Sequence, residues 1–354
     1  MIASSTPGER LEDRVTLCRK LETTRTTLDK AIRELQTEGR LTSRKGSGTF
    51  ISSSLALNGI SQTNWGIIVP NIQQTIYSTL VSVVESYAQA RDCNTILCNS
   101  EENVNKQSQF IRRLSGAGAA GFIIVPVILS SLEENRKLYS DLLCSGIPFV
   151  FCNRSVEGIS APVITSNNFY GGFIATKHLL EKGYRRIAYI SKYRYSTCLE
   201  RFQGYMTALM EAGIPIDRNL VRVSENNKAP IRYYDEAVSL LSEEHVDAIF
   251  AFNDYGAFEI ARAVADCGLK ISDDVGLIGY DCVQDNGYYT PEIGFSSVSY
   301  GIEQIALKAA EVLQKICSGT YTSSGFDYYL YQPKLCIRET CMGPVKHNTN
   351  DTES

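Results

Sequence analysis

The stretch AIFAFNDYGAFEIARAV, residues 248–264, changes character partway along. Its first part is an apolar run that, with the residues just before it, predicts a strand over 246–252. Asn253 and Asp254 interrupt the run, and a helical pattern takes over across 255–267. Gly268 follows, where glycine suits the left-handed position that ends a helix. The segment reads as one strand–turn–helix unit with polar residues gathered at the carboxyl end of its strand.

The same rhythm extends outward. Strands are predicted at 65–70, 94–98, 121–127, 148–153, 186–191 and 275–280, and helices at 77–91, 104–116, 131–145, 169–183, 198–212 and 231–244. Gly146, Gly183 and Gly213 stop three of those helices. Short β-rich runs alternating with longer helical ones make βαβ units and a parallel sheet. Seven strands fit one large sheet or two smaller ones, and periodicity leaves both open.

A chain of 354 residues, 44% hydrophobic and 21% charged, is ordinary globular material with room for roughly two to three domains. No apolar run approaches the ~20 residues that span a bilayer. Met1 to Arg10 lacks an apolar export segment, so a cytoplasmic protein without a membrane partner is expected. Eleven cysteines include no C-x-x-C pair. Reduced, idle thiols fit that usage better than zinc or a disulfide framework. The overall charge of −4 hides a split: residues 1–54 hold ten Lys and Arg against seven Asp and Glu, while the remainder holds 25 against 32. The basic piece, net +3, is the one suited to a polyanion. A Ser-rich linker separates it from Trp65, and the polar end from Gly343 to Ser354 reads as a frayed tail.

Within the basic piece, TTRTTLDKAIRELQTEG (23–39) places Leu28, Ala31, Ile32 and Leu35 on one helical face, with Thr23 or Thr24 to cap it and Gly39 to stop it. Arg25, Thr26 and Thr27 then point outward in the first turn, with Lys30 and Arg33 further along. Arginine can read guanine edges bidentately, threonine can meet base edges or a thymine methyl, and the flanking cations can bind phosphates. Leu41 to Ile51 reads as a hairpin whose tip carries Arg44, Lys45, Gly46, Ser47 and Gly48, glycines allowing close approach of backbone to phosphate. Together these two segments resemble the recognition helix and wing of a GntR-type winged helix. Pro7-Gly8-Glu9-Arg10-Leu11 resembles that family's lead into its second helix, expected here from Glu12 to Leu21; the family's first helix would precede it, so either a truncated start or an incomplete domain is expected. Asp13, Arg14 and Val15 stand where the family usually shows Ser-Glu-Arg.

From Trp65 to about Thr340, four motifs in order resemble the effector domain of lac-repressor-like regulators and periplasmic sugar-binding proteins: WGIIVPNI, ATKHLLEKGYRRIAYIS (175–191), AIFAFNDYGAFEIARAV and ISDDVGLIGYD (271–281). YQPKLCIRET (331–340) resembles the closing strand, and the combination with a GntR reader resembles the arabinose-repressor subgroup. The fold class implied is α/β: a two-lobed, doubly wound, periplasmic-binding-protein-like domain preceded by a small winged helix-turn-helix domain. The expected boundaries are 1–52 for the reader, 53–63 for the linker, 64–342 for the sensor and 343–354 for the tail. Lobe 1 is expected at about 64–164 and 299–322, and lobe 2 at about 167–293 and 328–340. Crossings between them are expected near 163–168, 292–300 and 320–328.

In sheets of this kind ligands bind at the carboxyl ends of strands. Those ends carry Asn71, Asn153-Arg154, Asn253-Asp254 and Asp281, a concentration of hydrogen-bonding groups that suits a polyhydroxyl ligand. The resemblance implies ligand contacts at Gln74, Tyr77, Asn153, Arg154, Arg201, Asn253, Asp281 and Tyr300. Thr75 and Ile76 replace the family's usual Pro and Phe, which leaves the ligand's identity open. His178 reads as a packed helical residue.

The expected function is a DNA-binding transcriptional regulator, a repressor, acting as a homodimer on double-stranded operator DNA. Its expected effector is a monosaccharide, a pentose or deoxyhexose, and no cofactor, metal or catalytic residue is expected. A sugar-binding protein of a transport system and a sugar-modifying enzyme are the rival readings. The basic head argues against the first. The lack of a phosphate loop, nucleophile elbow or His/Cys metal set argues against the second.

Overall fold

The computed structural model describes residues 10–37, 41–44, 48–51, 63–127, 132–191, 196–223, 232–283, 294–325 and 327–343. Two compact units divide the chain between Thr63 and Asn64. Residues 53–62 of the predicted linker 53–63, the wing residues Lys45, Gly46 and Ser47, and the tail beyond Gly343 lie outside the described residues, and Thr63 begins a strand.

The first unit holds helices α1 (Arg14–Lys20) and α2 (Arg25–Thr37) and strands β1 (Leu41–Arg44) and β2 (Gly48–Ile51). Helix α1 starts two residues later than the sequence predicts, because Asp13 caps it, accepting from the Val15 and Thr16 amides at 3.0 Å each. Leu17, Leu28, Ile32 and Leu41 form the core, with Leu11, Cys18 and Leu35 packed against it. Ala31 is exposed, contrary to expectation. At 100° per residue it falls on the flank of the Leu28–Ile32–Leu35 stripe. Strands β1 and β2 pair antiparallel, and Gly48, at φ +112°, meets Arg10 so closely that a β-carbon would sit 2.8 Å from its Nε. Arg10 itself bridges to Phe50, laying the entering chain along β2.

In the second unit, strands with apolar residues at consecutive positions are buried on both faces, as parallel sheets covered by helices require. Lobe 1 begins β3 (Thr63–Val69), α3 (Thr75–Gln89), β4 (Cys93–Asn99), α4 (Val104–Gly116), β5 (Gly121–Ile124), α5 (Leu132–Cys144), β6 (Phe149–Cys152) and β7 (Val163–Ser166). The chain then crosses at Asn167 into lobe 2, built from α6 (Asn168–Glu181), β8 (Ile187–Ser191), α7 (Ser196–Glu211), β9 (Val221–Val223), α8 (Tyr233–Glu243), β10 (Ala248–Ala251), α9 (Asp254–Asp266), β11 (Gly276–Tyr280) and β12 (Ser296–Ser299). It returns to lobe 1 for α10 (Ile302–Cys317) and β13 (Tyr328–Tyr331), and ends in lobe 2 as β14 (Lys334–Cys336).

Two six-stranded sheets result, ordered β13-β7-β6-β5-β3-β4 and β14-β12-β11-β10-β8-β9. Both reverse strand order beside their first strand, and there the carboxyl ends open a crevice for ligand. Two expected boundaries need correction. The third crossing lies at 332–333 rather than 320–328, because Tyr328–Tyr331 pairs in parallel with β7 and so belongs to lobe 1. Ser296–Ser299 pairs with β11, which keeps lobe 2 running to 299 and places the second crossing at Tyr300-Gly301.

Helices α6 and α7 pack closely together, and glycine is the reason. A β-carbon on Gly172 would lie 2.1 Å from the Arg201 carbonyl oxygen, and one on Gly204 would lie 2.1 Å from that of Phe169. Backbone therefore meets backbone where α7 presents Arg201.

Candidate functional site

Lobe 2 builds its half of the cleft around Arg201, which is buried on α7. Each part of the guanidinium has a fixed neighbour. Nε donates to Asn168 Oδ1 at 3.0 Å, Nη1 donates to the Phe252 carbonyl at 2.6 Å, and Nη2 lies 3.7 Å from Asp281 Oδ1. Its plane covers the Tyr280 ring at 3.4 Å and faces Phe252 at 4.5 Å. Asn168 also donates to the Ser166 carbonyl at 3.0 Å, so the clamp is rooted in the first crossing.

Asp281 follows β11 in an unusual conformation, φ +103°, and Cys282 follows at +59°. Non-glycine residues hold such angles only when their surroundings fix them. Here three successive amides are all engaged: Asp281 N–H donates to the Val298 carbonyl at 2.9 Å, Cys282 N–H to Ser297 Oγ at 3.0 Å, and Val283 N–H to Asp254 Oδ2 at 2.7 Å. Ser297 Oγ donates in turn to Asp254, 2.8 and 2.9 Å from its two oxygens. Asp254 is fully buried, and burial first, then the nearby Asp281 charge, pushes its carboxyl well above the usual range. Only glycine fits at 279, where a β-carbon would meet Asp254 Oδ1 at 2.0 Å.

Burial pushes the Asp281 carboxyl up to about 6, with Arg201 and then Arg154 pulling it back. Arg154 comes from lobe 1, just past β6, and lies 3.8 Å from Glu102 Oε2 and 6.0 Å from the Tyr77 ring centre. Asn153 repeats the Asp281 geometry in lobe 1: it follows β6 at φ +64°, its amide donates to the Ile164 carbonyl at 2.8 Å, and its carbonyl accepts from Thr165 Oγ1 at 2.7 Å. Tyr77 and Tyr300 are both buried, and burial raises both phenols. The Tyr300 ring lies 5.9 Å from that of Tyr280, at the second crossing.

Six of the eight expected ligand residues, Tyr77, Asn153, Arg154, Arg201, Asp281 and Tyr300, are thus buried side chains at strand ends, crossings or facing helices. Asn253 is half-buried and caps α9, its Oδ1 accepting from the Gly256 amide at 2.9 Å. Gln74 is half-buried at the amino end of α3. Beside it, the Thr75 amide donates to the Tyr255 hydroxyl at 3.0 Å, a bond that joins the lobes. The sequence reading missed Asn168, Tyr280 and Glu102. Glu102 follows β4, and extending the strand-end rule to that strand finds it.

A cavity of about 740 Å³ lies elsewhere, against Pro148, Val156, Pro162, Tyr321 and Tyr328 near the amino ends of β6, β7 and β13. Converging charged groups are found in the cleft instead. His178 is buried, and burial lowers its imidazole's proton affinity.

In the first unit, Arg25, Thr26, Thr27, Lys30 and Arg33 are exposed along α2. Thr24 Oγ1 accepts from the Thr27 amide at 3.3 Å and caps the helix. Arg14 Nε donates to Asp29 at 2.6 Å and ties α1 to α2. Arg44 ends β1, opposite Gly48.

An exposed cationic helix beside a hairpin, joined to a two-lobed sensor with polar strand ends facing each other, defines a ligand-responsive DNA-binding regulator. Residues 3–51 match the family model for bacterial regulatory proteins of the gntR family, and residues 176–341 match that for the periplasmic binding protein-like domain. The chain is 30% identical over 249 residues to the HTH-type transcriptional repressor PurR of Vibrio atlanticus, covering 70% of this chain and 72% of that one. It is 23% identical over 338 residues to the arabinose metabolism transcriptional repressor of Geobacillus stearothermophilus, covering 94% and 92%. Among solved structures, a periplasmic binding protein/LacI transcriptional regulator from Alkaliphilus metalliredigens, complexed with D-xylulofuranose, is 25% identical with a TM-score of 0.65, covering 79% and 99%. The chain belongs to the lac-repressor-like transcriptional repressors and carries a gntR-type reader at its amino end. Its relatives are repressors rather than enzymes.

Proposed function

We propose that the protein is a cytoplasmic, homodimeric repressor that reads paired operator half-sites with α2 and its wing and releases them when a pentose closes the cleft. The observation that carries the reading is the facing pair Arg201 and Asp281, with Arg154 close enough to pull on the same carboxyl. A polyhydroxyl ring needs donors and acceptors in one plane. Arg201 and Arg154 donate, ionised Asp281 accepts from two adjacent hydroxyls, and Tyr77 and Tyr300 supply faces for C–H patches. A pentose rather than a larger sugar is supported by the tight burial of these groups and by the D-xylulofuranose held by the A. metalliredigens regulator.

Arg25, Thr26 and Thr27 supply base contacts at the start of α2, while Lys30, Arg33, Arg44, Lys45 and the Gly46-Ser47-Gly48 backbone meet phosphates. Closing the cleft changes the separation of two readers in a dimer, and half-site spacing is fixed by the helical repeat of DNA. The sugar shifts that equilibrium only by its difference in affinity for the two states.

A thermal-shift series with arabinose, xylulose, xylose, ribose and deoxyhexoses tests the effector, since a bound sugar stabilises the native state by mass action. At least one pentose is expected to raise the melting temperature and to lower operator occupancy. If no sugar shifts melting, or operator occupancy is the same with and without a saturating sugar, the reading fails.

A further inference from the structure

The loop that presents Asp281 carries a thiol, and a second thiol faces it. Cys282 directly follows Asp281, and Cys336 lies on β14. The residue that brings them together is Ser297 on β12. Its register partner across the β12–β14 pair is Cys336, and its hydroxyl receives the Cys282 amide at 3.0 Å. That register puts the Cys336 side chain on the same face of the pair as Ser297, next to the loop that carries Cys282. Arg338 Nη2 is 3.7 Å from Cys282 Sγ, and Nη1 of the same guanidinium is pinned by the Phe295 carbonyl at 2.6 Å, which fixes a positive charge beside the sulfurs. Both thiols are partly exposed, whereas Cys152, Cys198 and Cys341 are buried.

We infer that Cys282 and Cys336 are a modification site: a hydroperoxide oxidises them to a reversible disulfide that resets the loop carrying Asp281. The thiolate of Cys282 attacks the distal oxygen of the hydroperoxide, the O–O bond breaks, and the leaving alkoxide or hydroxide takes a proton. The resulting sulfenic acid is attacked by the sulfur of Cys336, the S–S bond forms, and hydroxide leaves with the thiol proton as water. Two thiols and one hydroperoxide thus give one disulfide, one alcohol or water, and one water. A dithiol reductant reverses the step by thiol–disulfide exchange. Cys282 is the attacking partner because the Arg338 guanidinium stands 3.7 Å from its sulfur. Burial and then the neighbouring Cys282 push the Cys336 thiol up to about 11, which suits it to the resolving role.

A sulfur–sulfur bond of about 2.05 Å is much shorter than two thiols in van der Waals contact, so bonding draws residue 282 toward β14. The three amide hydrogen bonds that hold 281–283 in place then lengthen, and Asp281 turns from Arg201. On the proposed function, this lowers sugar affinity and keeps the repressor on its operator under oxidising conditions.

The experiment uses the full chain, reduced and then exposed to a few equivalents of hydrogen peroxide, with peptide mapping under non-reducing conditions. The expected product is a peptide pair joining Cys282 to Cys336, lost on adding dithiothreitol. In Cys336→Ser the pair is absent, and Cys282 is instead trapped as a sulfenic acid by dimedone. Hydrogen exchange of the peptide spanning 281–283 is expected to rise about tenfold in the oxidised wild type and to be unchanged by peroxide in Cys336→Ser. The inference is overturned if both thiols stay free at a dose that oxidises the exposed Cys144 and Cys267, or if wild-type Cys282 is recovered as sulfinic acid beside a free Cys336. Unchanged exchange in a cleanly linked protein overturns the resetting of the loop. None of these readouts depends on a sugar, so a failed effector screen and a failed disulfide are separate results.

Discussion

Lobe 2 holds its cleft arginine by hydrogen bonds at 3.0 and 2.6 Å and an ion pair at 3.7 Å, while lobe 1 sets Arg154 in an ion pair with Glu102 at 3.8 Å and 6.0 Å from the Tyr77 ring centre. The contrast recurs in the loops. The Asp281 turn hangs on the side chains of Ser297 and buried Asp254, whereas the Asn153 turn is held by the Asn153 and Arg154 amides on backbone carbonyls and by the Thr165 hydroxyl. The lobe 2 loop is therefore anchored through a buried side-chain network, and the lobe 1 loop mainly through its own backbone. Pre-organised groups spend less entropy on binding, so lobe 2 should dominate affinity.

The most disruptive test of that asymmetry is Arg201→Lys, which keeps the charge but loses the fork. Affinity for the sugar found by thermal shift is expected to fall about 100-fold by calorimetry, with operator binding in its absence intact. A loss below threefold would erase the distinction between the lobes. Gly172→Ala probes the same arginine through backbone contact. Forcing α6 and α7 apart is expected to cost about 1–3 kcal/mol in urea unfolding and to weaken sugar binding as well. Arg154→Ala is expected to cost about tenfold or less, and a larger loss than Arg201→Lys would reverse the assignment of roles. The smallest effect is that of pH. On the proposed function Asp281 accepts from hydroxyls as a carboxylate, and its folded value of about 6 lies above the usual aspartate range, so its ionised form is lost as pH falls through 6. Sugar affinity is expected to drop about fourfold between pH 7.5 and 5.5. For stability the sign is opposite: the buried carboxylate is strained when charged, so this group favours the sugar-free fold more as pH falls from 6 toward 4. Separately, Arg25→Ala is expected to reduce operator selectivity about 10-fold in a binding titration while leaving sugar affinity unchanged.

The sequence made the strands of both sheets legible wherever apolar residues run together, as at 65–70 and 246–252. It hid Ser296–Ser299, because a strand of three serines and a valine is held by its neighbours rather than by its own composition. Tyr328–Tyr331 was equally opaque: its alternating exposure suits an edge, and nothing local says which sheet it joins. In the cleft, the strand-end rule located Asn153, Arg154 and Asp281. It did not reach Asn168, which reads like any helix-start asparagine until Arg201 arrives from another helix. Asp254 was visible only as part of a polar turn, and its work under the Asp281 loop depends on Ser297, 43 residues away.

The Thr75 amide and the Tyr255 hydroxyl form a neutral hydrogen bond between the lobes. A latch of that size contributes about 0.5–1.5 kcal/mol, roughly a tenfold bias at most. That latch alone does not hold the lobes together, so on the proposed function the energy that turns sensing into a decision comes from the guest rather than from this bond.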